Sequence, residues 1–217
     1  MKSVAILIYA EQHEDRIAEV NRQTALIPAD EYSFELFIDP DLDKAWAAAG
    51  SRDFYIWLHG ALQLRENAIF QLLDNSSFLS DRALIAGSVK DGSGRLVSGG
   101  FSWNRVILAP DPVIPVPCKI FDGLLALIPG CVHESVGLLG GRYRGQLAGF
   151  DYAARARHAG FPSVIAPGVP GLCDVRPNPE RTIREDFMLD LRNKGLFQAA
   201  WYSLKSWFRR LVINHLT

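Results

Sequence analysis

The sequence predicts an α/β protein with a mostly parallel central sheet flanked by helices and a C-terminal amphipathic helical extension. Three observations lead there. Val4 to Tyr9 is an unbroken apolar run, the pattern of a strand covered on both faces. Strand-like and helix-like segments then alternate over about the first sixty residues, the signature of right-handed crossovers between parallel strands. The last stretch, Gly195 to Thr217, carries Lys205, Arg209 and Arg210 and no acid, with apolar residues at helical spacing.

Taken in order, Val4–Tyr9 is expected as the first, central strand. His13 to Ala25 is polar with Ile17, Val20 and Thr24 at helical spacing, and Pro28 closes that helix. Ser33 to Asp39 reads as a second strand that runs into the acidic turn Asp39-Pro-Asp-Leu-Asp43, and Ala45 to Ala49 as a short helix stopped by Gly50. Phe54 to Leu58 is the third strand and ends at His59-Gly60-Ala61. Glu66 to Asp74 is the next helix and Ala83 to Ser88 the next strand. Lys90 to Arg95 is a turn cluster with Leu96 to Ser98 returning, a hairpin.

Pro110, Pro112, Pro115 and Pro117 punctuate an extended loop of the kind that lies over a site. Gly123 to Ile128 is apolar and expected to be buried, Val132 to Val136 is a short helix, and Gly140-Gly141 a flexible turn. The stretch from Arg144 to Phe161 ends in a helix: Tyr152, Ala156 and Ala159 can share one face, Arg155 and Arg157 flank it, and Gly160 suits the position after its end. Asp151 stands at the start of that helix, where an Asp serves as an N-cap. Ser163 to Pro167 is strand-like. No internal repeat is present. Residues 1–178 read as one domain and 179–217 as the helical extension.

Composition limits the function. The 217 residues are 48% hydrophobic, ample for a buried core, and 23 basic against 24 acidic side chains leave a formal charge of -1. No net field exists to gather nucleic acid. Cys118, Cys131 and Cys173 are too few and scattered for a disulfide framework and form no C-x-x-C pair, so a reducing, cytoplasmic setting is expected. The N-terminal apolar run meets Glu11 without a cleavage pattern and reads as a strand rather than a signal peptide. No apolar run approaches the roughly 20 residues that a spanning helix needs.

In the C-terminal extension, Trp201, Leu204, Phe208, Leu211 and Val212 fall at i, i+3, i+7, i+10 and i+11. Its apolar face either packs back on the domain or docks on a partner or an anionic membrane surface. In the membrane case Trp201 and Trp207 sit at headgroup level, Lys205, Arg209 and Arg210 face lipid phosphate, and the chain is peripheral to the inner face of a membrane.

The order of these segments resembles the GT-A fold of the family 2 glycosyltransferases. Phe54 to His59 followed by Leu64 to Ile69 is similar to the family's strand, acidic turn and following helix. Ile85 to Gly100 is similar to its central strand and hairpin. Ala126 to Pro129 with Val132 to Gly141 resembles the segment before its acceptor helix, and Asp151 to Phe161 with Ile165 to Gly168 the helix and strand beyond. The resemblance covers about Met1 to Asn178.

It implies transfer of a sugar from a nucleoside diphosphate sugar to a saccharide or lipid-linked acceptor. In the family a D-x-D-like turn binds magnesium or manganese, whose charge offsets that of the leaving diphosphate. Here that turn is His59-Gly60-Ala61, without a carboxylate. The family's general base is an Asp in an E-D-x-D-like motif. Laid on this chain, the acidic pair falls on Ala148-Gly149 and the last carboxylate survives as Asp151, the acid/base candidate.

Asp39, His59 and Tyr9 are the nucleotide-binding candidates, Asp39 at the position where the family often uses an Asp near base or ribose. Asp39 also reads as an ordinary turn residue before Pro40, and His59 as a half-buried turn residue. The family usually carries a further strand between Asp39 and Phe54, where this chain has room for one short helix. Two functions follow: an active transferase, or a catalytically inactive homologue that binds a glycan, a nucleotide or a partner transferase. A scaffold docked through the Trp201 helix is a third.

Overall fold

The computed structural model describes residues 1–9, 14–102, 106–139 and 146–173. In chain order these form β1 (Lys2–Tyr9), α1 (Glu14–Thr24), β2 (Tyr32–Ile38), α2 (Leu42–Ala49), β3 (Phe54–His59), β4 (Gln63–Leu64), α3 (Ala68–Phe78), β5 (Leu84–Ala86), β6 (Val89–Lys90) and β7 (Leu96–Ser98). Then come β8 (Gly100–Phe101), β9 (Val116–Cys118), β10 (Ile120–Phe121), β11 (Leu125–Pro129), α4 (Gly130–Val136), α5 (Gln146–His158), β12 (Ser163–Ile165) and β13 (Gly171–Leu172).

The main sheet has seven strands in the order β2-β1-β3-β11-β5-β12-β9. β2, β1 and β3 are parallel, as are β5 and β12, while β11 and β9 run against their neighbours. The middle strand is therefore β11, and β1 is central only to the parallel part.

Alternation along β1 decides the layers. Val4, Ile6 and Ile8 point into a core with Val20 of α1 and Leu72 of α3, and Ala5 and Leu7 into a second core with Trp46 of α2, Val132 of α4 and Tyr152 of α5. Helices thus cover both faces, which is why β1 and β3 read as continuous apolar runs.

Local chemistry explains the boundaries. Asp41 caps α2 by accepting from Asp43 N at 3.1 Å, and Gly50 closes it at φ +65°. The hairpin between β6 and β7 turns on Asp91, whose Oδ1 accepts from the N–H groups of Ser93 and Arg95, both at 3.0 Å.

Four expectations change. α3 starts two residues later than expected and runs four residues further, to Phe78. The proline-rich loop ends in β9, which pairs with β12 as an outer strand; Pro117 is tolerated there because an edge strand leaves one row of groups unpaired. Asp151 is not an N-cap, because α5 begins at Gln146 and places it in the second turn. Ala159 is exposed, and Ala153 takes its place beside Tyr152 and Ala156 on the buried face. Between Asp39 and Phe54 the chain holds α2 and no strand, as expected.

His13, the Gly140-Gly141 turn, the domain boundary after Asn178, and the C-terminal residues Trp201, Lys205, Trp207, Arg209 and Arg210 lie outside the described residues. Among the described residues no helix is long and apolar enough to cross a membrane.

Candidate functional site

Parallel strands end together, and what they carry at their C-terminal ends shares one edge. β1 ends at Tyr9 and β3 at His59, which face each other in register. β2 ends at Ile38 beside Ile8, and Asp39 follows with its N–H bonded to Ile8 O at 3.2 Å. β11 runs the other way, so its first residue, Leu125, lies opposite Leu58 at the same edge. Tyr9, Asp39, His59 and the Asp122-Gly123-Leu124 bend that leads into β11 therefore gather along one rim of the sheet.

The Tyr9 and His59 rings meet edge to face, with centroids 5.1 Å apart. The Tyr9 hydroxyl donates to Gly123 O at 2.6 Å, and burial pushes its pKa up, so the phenol stays neutral. Burial also lowers the His59 pKa. Its Nδ1 accepts from Ala61 N at 3.2 Å, which assigns the ring proton to Nε2. The Asp39 carboxylate accepts from Asp41 N at 2.8 Å, and Asp43 accepts from Leu139 N at 2.9 Å.

Asp151 lies on α5, two residues beyond Gly149, the position that packs against the Phe121–Gly123 backbone. Its Oδ2 is 2.9 Å from Arg155 Nε, one helical turn along α5, with the Asp side chain 12% exposed. Arg155 also donates to Val136 O and Leu138 O, tying α5 to the chain leaving α4. The pair is thus part of a joint between helices, and a carboxylate held there has a fixed orientation.

Asp122, which sequence reasoning missed, is 2% exposed. Ser98 donates to its Oδ1 at 2.6 Å, and Oδ2 has no hydrogen-bond partner. Burial raises its pKa to about 7, with the Ser98 hydroxyl and the N–H groups of Leu124 and Gly99 pulling the other way. A signal was present: Asp122 is the one acid in the otherwise apolar stretch from Ile120 to Pro129.

Gly149 explains a departure seen in sequence. A Cβ there would stand 2.6 Å from Phe121 O, 2.7 Å from Asp122 C and 2.8 Å from Gly123 N, all backbone. The helix lies on the bend at that point, and no side chain fits.

The described residues of this rim do not fit a divalent cation. The His59-Gly60-Ala61 turn supplies no carboxylate, and among the described residues no group of three His, Cys, Asp or Glu could hold a metal ion.

No protein-family model and no curated protein sequence matches the chain. Solved structures do. The chain is similar to GalNAc-T7 in its complex with UDP, GalNAc and Mn2+ (TM-score 0.53, 13% identity, 79% of this chain and 43% of that one). It is similar to the mannosyltransferase PcManGT of Pyrobaculum calidifontis in its complex with GDP-Man and Mn2+ (0.51, 11%, 86% and 60%). It is also similar to A197 from STIV (0.50, 7%, 77% and 82%). The chain has a GT-A-like fold, and it spans less than two thirds of the two transferases it matches.

Proposed function

We propose that the chain is a family 2-like glycosyltransferase, which moves a sugar from a nucleoside diphosphate sugar to a saccharide or lipid-linked acceptor with inversion. The observation that carries this reading is the contact of Tyr9 with His59 at the C-terminal ends of β1 and β3, in a fold shared with a UDP complex and a GDP-Man complex. The neutral His59 offers Nε2–H to a diphosphate oxygen, a donor that costs no desolvation of a charge. Tyr9 offers a ring edge held in place by Gly123, and Asp39, at the end of β2, is the candidate for the ribose or base. In the transfer step the acceptor oxygen bonds to the anomeric carbon as the bond to the diphosphate breaks. The acceptor's proton passes to Asp151, the one carboxylate of α5, which Arg155 orients. No step is routed through a metal.

A second reading has its own support: the same rim binds a nucleotide, a glycan or a partner transferase without chemistry. It is favoured by the absence of any carboxylate from the His59-Gly60-Ala61 turn and by the backbone that closes position 149. In either reading, docking on a membrane surface or a partner is assigned to the segment from Trp201 to Arg210.

Calorimetric titration of UDP-, GDP- and dTDP-sugars with and without Mn2+ tests both. No heat with any donor refutes the nucleotide-sugar reading. Binding without turnover, across an acceptor series, selects the second. Where turnover is found, Asp151→Asn is expected to abolish it, and unchanged turnover removes Asp151 from its role.

A further inference from the structure

Asp122 is an ionisable group at the rim that the proposed transfer does not use. Its Oδ1 is engaged by Ser98 and approached by Leu124 N at 3.5 Å, while Oδ2 is buried without a partner. No cation pairs with it among the described residues. A half-satisfied buried carboxyl group costs stability, and such groups concentrate where their charge is used.

Two contacts connect it to the rim. The Phe121–Gly123 backbone fills the space of a side chain at position 149, so Asp122 carries a carboxyl group on the same backbone that excludes one from α5. Gly123, the next residue, accepts the Tyr9 hydroxyl, and Tyr9 abuts His59. A change in the bend is therefore felt at both side chains.

We propose that Asp122 is the positioning carboxylate of this rim: it sets Tyr9 and His59 through the bend, and its charge opposes an anionic nucleoside diphosphate held against them. The inference rests on the nucleotide-sugar reading.

Among the described residues, the titratable and charged groups around Asp122 are few. Tyr9 on β1 is kept neutral by burial, and His59 on β3 is lowered by burial. Ser98 on β7 does not titrate, and on α5 Asp151 is tied to Arg155. Asp122 itself is raised to about 7. Protonation there removes a negative charge from a poorly solvated region, so affinity for a diphosphate rises as pH falls through neutrality.

The test combines calorimetry of UDP, GDP and dTDP between about pH 6 and 8.5 with a carboxyl 13C NMR titration of the ligand-free protein. Wild type, Asp122→Asn and Ser98→Ala are compared. Over that range wild type is expected to lose about tenfold in affinity relative to Asp122→Asn, a ratio in which the ligand's own titration cancels; tenfold corresponds to one pKa unit of linkage. Ser98→Ala removes a hydrogen bond that favours the charged form, so its midpoint moves to higher pH.

Identical pH profiles for wild type and Asp122→Asn overturn the proposal and leave the nucleotide-sugar reading standing. A carboxyl midpoint near that of an exposed Asp also overturns it. If no diphosphate binds at any pH while Asp122 titrates near 7, the nucleotide-sugar reading fails and this proposal falls with it. Should Asp122→Asn fail to fold, the Ser98→Ala midpoint decides, and an unmoved midpoint refutes.

Discussion

Replacing Gly149 by alanine adds one methyl group where α5 lies on the bend before β11. The new Cβ would approach Phe121 O to 2.6 Å, which is 0.8 Å short of the 3.4 Å at which ordinary contact begins. Asp122 C and Gly123 N stand nearly as close, at 2.7 and 2.8 Å, and all three are backbone atoms with no flexible end to yield. Relief requires α5 or the bend to shift. The helix resists, because Arg155 fastens it to Val136 O and Leu138 O, and Tyr152, Ala153 and Ala156 are wholly buried beneath it.

Overpacking costs about 1–3 kcal/mol, and against rigid backbone at these distances the upper part of that range, about 2–3 kcal/mol, applies; alanine's better helix propensity returns about 1 kcal/mol. The expected net loss is on the order of 1–2 kcal/mol, which for a domain of this size lowers Tm by roughly 2–8 °C. Thermal and urea unfolding followed by circular dichroism measures it. A Gly149→Ala protein equal to wild type, or more stable by the helix-propensity term, would refute the close approach and with it the reason why position 149 carries no carboxylate.

Two further outcomes follow from the same region. The native Asp122 carboxyl holds its proton to about 7, against 3.8 for the ordinary group. Between these values the unfolded chain has released a proton that the native protein keeps. The contribution of Asp122 to stability therefore falls as pH rises from about 4 to about 7 and is flat above, by an amount on the order of 2–4 kcal/mol. Asp122→Asn removes this dependence, so its cost in urea unfolding is larger at pH 5 than at pH 8; equal costs contradict the assignment. Arg155→Ala deletes one ion pair and two carbonyl contacts and is expected to cost about 1–3 kcal/mol. Asp151→Asn keeps an acceptor oxygen for Arg155 and costs less, and the reverse order would show that Arg155 is not the fastening group.

Much of the rim was legible from order alone. Tyr9, Asp39 and His59 close three apolar runs, and a chain of parallel strands must bring such residues to one edge. That the His59-Gly60-Ala61 turn and Ala148-Gly149 carry no carboxylate was also visible in sequence. Hidden from it was the reason for glycine at position 149. Glycine at 149 reads as a deleted carboxylate, whereas in space it is a contact between a helix and a bend 26 residues earlier in the chain.

The sequence by itself determined the α/β class, most element positions and both helical layers, because periodicity of burial is a local property: alternate residues of β1 face opposite cores whatever lies beyond them. It also determined the turns at Asp41, Gly50 and Asp91, where one side chain or one positive φ suffices. The tertiary structure alone decided the direction of β11, the placing of Pro117 on an edge strand, and the engagement of Asp151 by Arg155. It alone placed Asp122 on the bend whose Gly123 accepts the Tyr9 hydroxyl. These depend on which backbones approach across long separations, and neither composition nor spacing records how close two distant segments come.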